Sequence, residues 1–277
     1  MIRAVAVACI FLVWCVATPA VLAAGPLFAR PLHITRQVHD SISGKTAVLD
    51  EYGYGNRLVA IRGSRTSIAD YEKGELVEID RDAATYSITR FDAVAHANQV
   101  VNPPASATHI AASSAGQPDH TLHGLGVKVT ASGRSADFFE AQIGAQEKVT
   151  VAVDRNALVS KEALEVLVGA AYPSVKTSEH DVVLSAAAPA VAASRMSVQS
   201  ADAAAQMYAL PVEQVMALDA EGQHIELRST VVRVGAEAPP LDLIAIPPGA
   251  RLVTSRIVEA AREVDSFNHP APVVKTH

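Results

Sequence analysis

Ten histidines in 277 residues raise metal chemistry first. The run Asp119-His120-Thr121-Leu122-His123 offers several ligand atoms within five residues, and His109 lies upstream in the same stretch. A zinc site needs three or four converging ligands, so a metal-dependent hydrolase built around His109, His120 and His123 is one reading. A His-x-x-His pair in a loop rich in Gly, Pro and Ser, without a helical His-Glu-x-x-His motif, reads also as solvated surface. No metal ligand is assigned on this basis. His96 falls on a predicted helix, as a packed or partly exposed side chain.

Other chemistry is thin. No Gly-x-Ser-x-Gly elbow is present, and Gly53-Tyr54-Gly55 lacks the third glycine and following helix of a dinucleotide fingerprint. No Walker loop occurs. Both cysteines, Cys9 and Cys15, lie in the first two dozen residues. Asp80 and Asp82 fall in a hairpin turn and Asp92 at a helix start, places where carboxylates cap backbone amides. The expectation is a protein that is not an enzyme and carries no cofactor.

Hydrophobic residues make up 49% of the chain and aromatic residues 5%, ample for a globular core. The formal net charge of −6 disfavours a nucleic-acid binder, whose affinity comes from neutralising phosphates. The N-terminus carries Arg3, an apolar run from Ala4 to Val16, and small residues ending at Ala23-Ala24. This pattern predicts a cleaved signal peptide over residues 1–24. Pro19 interrupts the segment, which is short of the roughly 20 apolar residues of a membrane span. Export to the periplasm without stable membrane insertion follows as an expectation, and the chain after cleavage would hold no cysteine and no disulfide.

Elements must position whatever site exists. From Asp50 to Phe91 apolar residues alternate and turn residues recur about every ten positions, as in an antiparallel meander. Arg57–Ile61, Thr66–Tyr71, Glu75–Ile79 and Thr85–Thr89 are the predicted strands. Because strand neighbours face opposite sides, Val59, Ile61, Ile68, Val77, Ile79, Tyr86 and Ile88 are predicted to share one apolar face. Glu78, Ser87 and Thr89 fall on the other. Helical spacing appears over Phe91–Val101 and again over Ser160–Ala171, where Leu164, Leu167 and Val168 lie on one stripe. Gly126–Thr130 and Lys148–Val153 read as further strands, Ala186–Tyr208 as an Ala-rich helix, and Gln223–Val234 with Leu241–Val253 as alternating strands. Neither the Leu32–Phe91 set nor the Gln223–Val253 set makes a stable sheet alone, so the two are predicted to join one sheet. The tail from Asn268 reads as disordered.

Tyr54-Gly55-Asn56-Arg57, the run Ile68 to Asp80, Thr85-Tyr86-Ser87, and the closing stretches Gly222–Leu227 and Ala238–Val253 resemble the periplasmic lipoprotein-carrier superfamily, whose members include outer-membrane lipoprotein carriers and sorting factors. That resemblance implies an α+β fold: a strongly curved antiparallel β-sheet, an incomplete half-barrel, with helices covering its concave face. It implies one such domain over residues 25–255, followed by a C-terminal helix or tail over 256–277. It also implies an apolar cavity for an acyl chain, with Arg57 the match to an arginine that steadies the lid.

The combined expectation is a periplasmic protein that binds or carries a hydrophobic ligand, an acyl chain, a lipid or a lipidated protein. Its lining would be Arg57, Val59, Ile61, Ile68, Val77, Ile79, Tyr86 and Ile88 from the sheet, with Leu164, Leu167 and Val168 from a helix. The alternative is an envelope regulatory or scaffolding protein that uses the same fold to bind a protein partner.

Overall fold

The computed structural model describes residues 25–101, 122–142, 147–171, 193–194, 207–220 and 223–268. The predicted signal segment, His109, His120, most of the predicted Ala-rich helix and the tail beyond Asn268 lie outside them. Twelve strands form one open sheet in the order β12-β6-β5-β4-β3-β2-β1-β11-β10-β9-β8-β7. Strands β1 (Phe28–Asp40), β2 (Lys45–Gly55), β3 (Arg57–Arg62), β4 (Arg65–Asp70), β5 (Glu75–Asp80) and β6 (Thr85–Arg90) run as a continuous meander. After helix α1 (Phe91–Val101) come β7 (His123–Val129), β8 (Ser135–Gln142) and β9 (Glu147–Ser160), then helix α2 (Lys161–Ala171), β10 (Met207–Ala220) and β11 (Gln223–Gly235). The one-turn helix α3 (Leu241–Ile244), the short strand β12 (Arg251–Leu252) and helix α4 (Arg256–Asn268) complete the described chain.

The N-terminal and C-terminal strand sets do join one sheet, because β1 pairs antiparallel with both β2 and β11. Leu241–Val253 corrects the sequence reading. It holds no long strand, only the α3 turn and the two residues of β12, which pair parallel to β6. Pro239, Pro240, Pro247 and Pro248 have no N–H to give a ladder, so this segment becomes a strap rather than a strand. The sequence reading set no bounds for β1 or β2 and missed β8 and β10, and Met207 and Tyr208, predicted to end the Ala-rich helix, open β10 instead. β10 contains Pro211, which sits where the register with β9 shifts, the position a strand proline tolerates.

The hairpin turns follow local chemistry. Asp70 opens a loop closed by Gly74 at φ +66°, and its Oδ1 accepts the Lys73 N–H. Asp80 opens the corresponding β5–β6 loop, accepting the Ala83 N–H, but the closing residue is Ala84 at φ +49°. A Cβ in the left-handed region costs about 1–2 kcal/mol, partly offset by the greater unfolded-state entropy of glycine. Ala84→Gly is therefore expected to raise stability by roughly 0.5–1 kcal/mol, read as a higher urea midpoint at unchanged slope. Gly53 answers a different need: a Cβ there would lie 2.4 Å from the Phe28 ring, so only glycine lets that ring seat against β2.

Cross-strand register divides the meander into two faces. Val59, Ile68, Val77 and Ile88 form one row, and Ile61, Thr66, Ile79 and Tyr86 the next row of the same face. The shared face predicted from alternation is thus the observed one. The opposite face carries Leu58, Ala69, Leu76 and Thr89, with Ala60, Ser67, Glu78 and Ser87 alongside. The main core gathers Leu58, Ala60, Ala69 and Leu76 with Phe91 and Val94 of α1, Leu164, Leu167 and Val168 of α2, and Val149, Val151, Leu210 and Val231.

A second, smaller cluster lies on the first face, where Tyr52, Val59 and Ile61 are covered by Leu243 and Ile244 of α3. The strap is held there by the Thr66 hydroxyl, which donates to the Leu243 carbonyl, and by Arg81, which donates to the Asp242 carbonyl. Near its start, the His33 ring stacks on Tyr52 at 4.1 Å and lies between Asp50 and Glu237. The chain then passes the β6 edge as β12, and Ser255 and Arg256 bond to Glu78 and Asp80. Glu78 and Asp80 belong to the face opposite α3, so the C-terminal segment holds both faces of the meander.

Candidate functional site

Alternation along β3 to β6 sends Arg62, Arg65, Ser67, Glu78, Asp80, Thr85 and Ser87 to the same face as Ala60. Beyond the edge of the apolar core these side chains line a groove of about 820 Å³. Ala47 and Leu49 of β2 join its lining, and the C-terminal segment adds Val253, Thr254 and Arg256. The β3–β4 hairpin turns through Gly63, at φ +59°, and Ser64. This two-residue turn sets Arg62 directly across from Arg65, as a turn with glycine at its first central position requires.

Asp80 organises the groove. Arg65 Nε donates to its Oδ2 at 3.0 Å and Arg256 Nη2 to the same oxygen at 2.9 Å, while the Ala83 N–H donates to Oδ1. The Ala83 amide first, and then Arg65 and Arg256, hold the Asp80 carboxyl below its ordinary value of 3.8, against an opposing effect of burial. A depressed carboxyl stabilises the fold fully above 3.8 and loses that contribution as pH falls through the lower folded value. The gap in melting temperature between the wild type and Asp80→Asn is accordingly expected to narrow as pH drops below 3.8, as thermal scans across an acid pH series would show. Glu78 accepts from the hydroxyls of Ser87 at 3.1 Å and Ser255 at 2.7 Å, and Asp82 accepts from Ser64 at 2.6 Å. The result is a groove lined by guanidinium, carboxylate and hydroxyl groups, with apolar contributions from Leu49 and Ala60.

The expected ligand-lining residues do not converge on one cavity. Val59 and Ile61 are buried, with Ile68 half-buried beside them, under α3. Leu164, Leu167 and Val168 belong to the main core instead. Val77 is half-buried, and Ile88 is 50% exposed. Ile79 and Tyr86 border the groove, but their side chains share the α3 face by register with Thr66. Arg57 donates to Asp70 at 2.9 Å across the β3–β4 pair, a contact within the sheet rather than with a lid. The sequence reading chose the face of Val59 and Ile61, whereas most of the groove's side chains lie on the face of Ala60, beside the main core. The missed signal was the recurrence of hydroxyl and charged residues at alternate positions of β4, β5 and β6, normally the mark of a solvated face.

His123 is exposed at the start of β7, and His109 and His120 fall outside the described residues. Among the described residues no group of three or more His, Cys, Asp or Glu side chains could hold a metal ion. No described helix is long and apolar enough to cross a membrane. No protein-family model and no curated protein matches this sequence. Among solved structures the chain is similar to one described as "Structure of PNGF-II in C2 space group", at 7% identity and a TM-score of 0.35, over 85% of this chain. It spans 33% of that protein.

Proposed function

We propose that this chain is an exported, non-catalytic binding module of the cell envelope, which seats a polar segment of a protein partner in the groove beside Arg65, Asp80 and Arg256. The observation that carries this reading is the lining of the groove. Its volume of about 820 Å³ suits a bound ligand, since binding pockets commonly span about 300–1,000 Å³. Guanidinium groups bind carboxylates in a fixed planar geometry, the serine hydroxyls can donate or accept, and Leu49 and Ala60 give apolar contact. A polypeptide segment supplies partners for all of these groups. An acyl chain gains about 0.8 kcal/mol per buried CH₂, but laying it over the Arg65–Asp80–Arg256 ion pairs would strip the water that still solvates these charges, a desolvation cost that the pairing alone need not offset. Export is supported by the signal-like pattern of residues 1–24.

The test is a pair of measurements on one protein. A photo-crosslinking residue at Thr85 is expected to capture a polypeptide of defined mass in the native compartment, and the adduct should vanish with Arg65→Glu. Titration with a fluorescent fatty acid is expected to give no saturable binding. Saturable displacement, together with no polypeptide adduct, would replace this reading with the acyl-chain carrier.

A further inference from the structure

His33 of β1 stands where three parts of the chain meet. It is 6% exposed, and its ring stacks on Tyr52 of β2. Nε2 lies 3.1 Å from Asp50 Oδ1, also on β2, and Nδ1 lies 3.3 Å from Glu237 Oε2. Glu237 follows the end of β11 and leads into the strap. Gly235 pairs with His33 across β1 and β11, and a Cβ there would overlap Glu237 Oε2, so glycine makes room for that carboxylate beside the ring.

The number of donors fixes the proton content of the ring. Neutral imidazole has one N–H and one lone pair, and a carboxylate only accepts. Thr35 Oγ1 lies 3.4 Å from Nε2, but its proton is given to Asp50 Oδ1 at 2.7 Å. Either neutral tautomer therefore turns a lone pair towards a carboxylate in a place nearly closed to water, where an unmade hydrogen bond is costly. Imidazolium donates to both. The other charged and titratable groups around the ring agree with this count. Arg233 of β11 donates to Glu237 Oε1. The backbone amide of Glu237 first, then His33 and Arg233, hold its carboxyl below the ordinary value of 4.5, against an opposing effect of burial. Burial, then Asp50 and Glu237, push the Tyr52 phenol up, against Arg233, so that neighbour stays neutral.

We infer that His33 is a proton-operated latch on the strap: it grips Glu237 while both ring nitrogens carry protons, and loss of one proton loosens the segment that follows. A contact that requires the added proton is present at low pH and lost as pH rises. It is lost again in acid, where Glu237 itself takes up a proton. The latched window therefore lies between the carboxylate range and the near-neutral range in which imidazoles titrate. Leu243 and Ile244, just beyond the latch, cover Tyr52, Val59 and Ile61, so the latch governs how firmly that small cluster is closed. The latch makes no contact with the groove beside Asp80, and either can fail without the other.

The experiment follows the full chain by nuclear magnetic resonance, reading the His33 ring-nitrogen shifts and the hydrogen-exchange protection of the Leu243 and Ala245 amides, which bond within α3. Between about pH 5.5 and pH 8, His33 is expected to pass from two ring N–H groups to one, and protection, corrected for intrinsic exchange, to fall about tenfold. Glu237→Gln should lower the pH at which the ring gives up its second proton. Gly235→Ala, which removes no charge but displaces the Glu237 carboxylate, should do the same. In His33→Gln, with its fold checked by circular dichroism, protection should no longer depend on pH over this range. A ring with a single N–H at the acid end, protection that stays flat in the wild type, or a folded Glu237→Gln variant that titrates like the wild type would overturn the inference.

Discussion

Replacing Glu51 with leucine is expected to cost about 3–5 kcal/mol of stability, the usual penalty for removing one partner of a buried ion pair. Glu51 has no exposed surface and Arg36 is 4% exposed, and the Arg36 guanidinium donates to Glu51 Oε2. The pair lies on the inner face of β1 and β2, where Glu51 stands opposite the fully buried Ile34. With leucine at position 51, Arg36 keeps its charge without that carboxylate, in a place where water is excluded. The second Glu51 oxygen, Oε1, has no hydrogen-bond partner among the described residues, so the native pair is itself imperfectly satisfied. Arg36→Met combined with Glu51→Leu should therefore recover most of the loss, and the two changes should be strongly non-additive in a double-mutant cycle. Guanidinium denaturation measures both; a single substitution that costs less than about 1 kcal/mol would show that the interior is wetter than the burial indicates.

The second large effect separates core from surface within the set of residues expected to line a ligand cavity. Leu164 has no exposed surface and packs with Leu167, Val168 and Ala163 into the main core. Leu164→Ala should cost about 2–5 kcal/mol, the transfer loss of the removed atoms plus the cavity left behind. Ile88 is half exposed on β6, and Ile88→Ala should remain within about 0.5 kcal/mol, as most surface changes do. Chemical denaturation of the two variants reads the difference directly. Near-equal losses would mean that these positions share one environment, as a common ligand cavity requires.

Much of the local structure was legible in the chain. The period of two from Arg57 to Thr89 placed four strands, because alternation is the direct consequence of pleating. The change to helical spacing at Phe91 and the apolar stripe at Leu164 marked α1 and α2. Asp70 and Gly74 bracket a hairpin loop for local reasons alone: a side-chain acceptor for an early amide and a residue free to take positive φ. β10 was hidden because Pro211 reads as a strand breaker unless a bulge is known to receive it. Leu241–Val253 alternated like a strand, yet its prolines remove the donors a ladder needs. Both errors concern backbone pairing with distant strands, which no local pattern records.

Which side chains lie on the same side of the meander follows from alternation alone, since parity along a strand admits one answer once the turns are set. It leaves open which side becomes the core, because the hydrophobic effect is non-directional and rewards burial against any apolar surface. Long-range packing brings Leu58, Ala60 and Leu76 into the main core with Phe91 and Leu164, while a strap from the far end of the chain covers Val59 and Ile61. The same folding brings Arg256 to Asp80 across a separation of 176 residues and thereby completes the groove. Such a contact depends on where the β6 edge ends and on how the strap passes it, quantities set by the packing of the whole sheet.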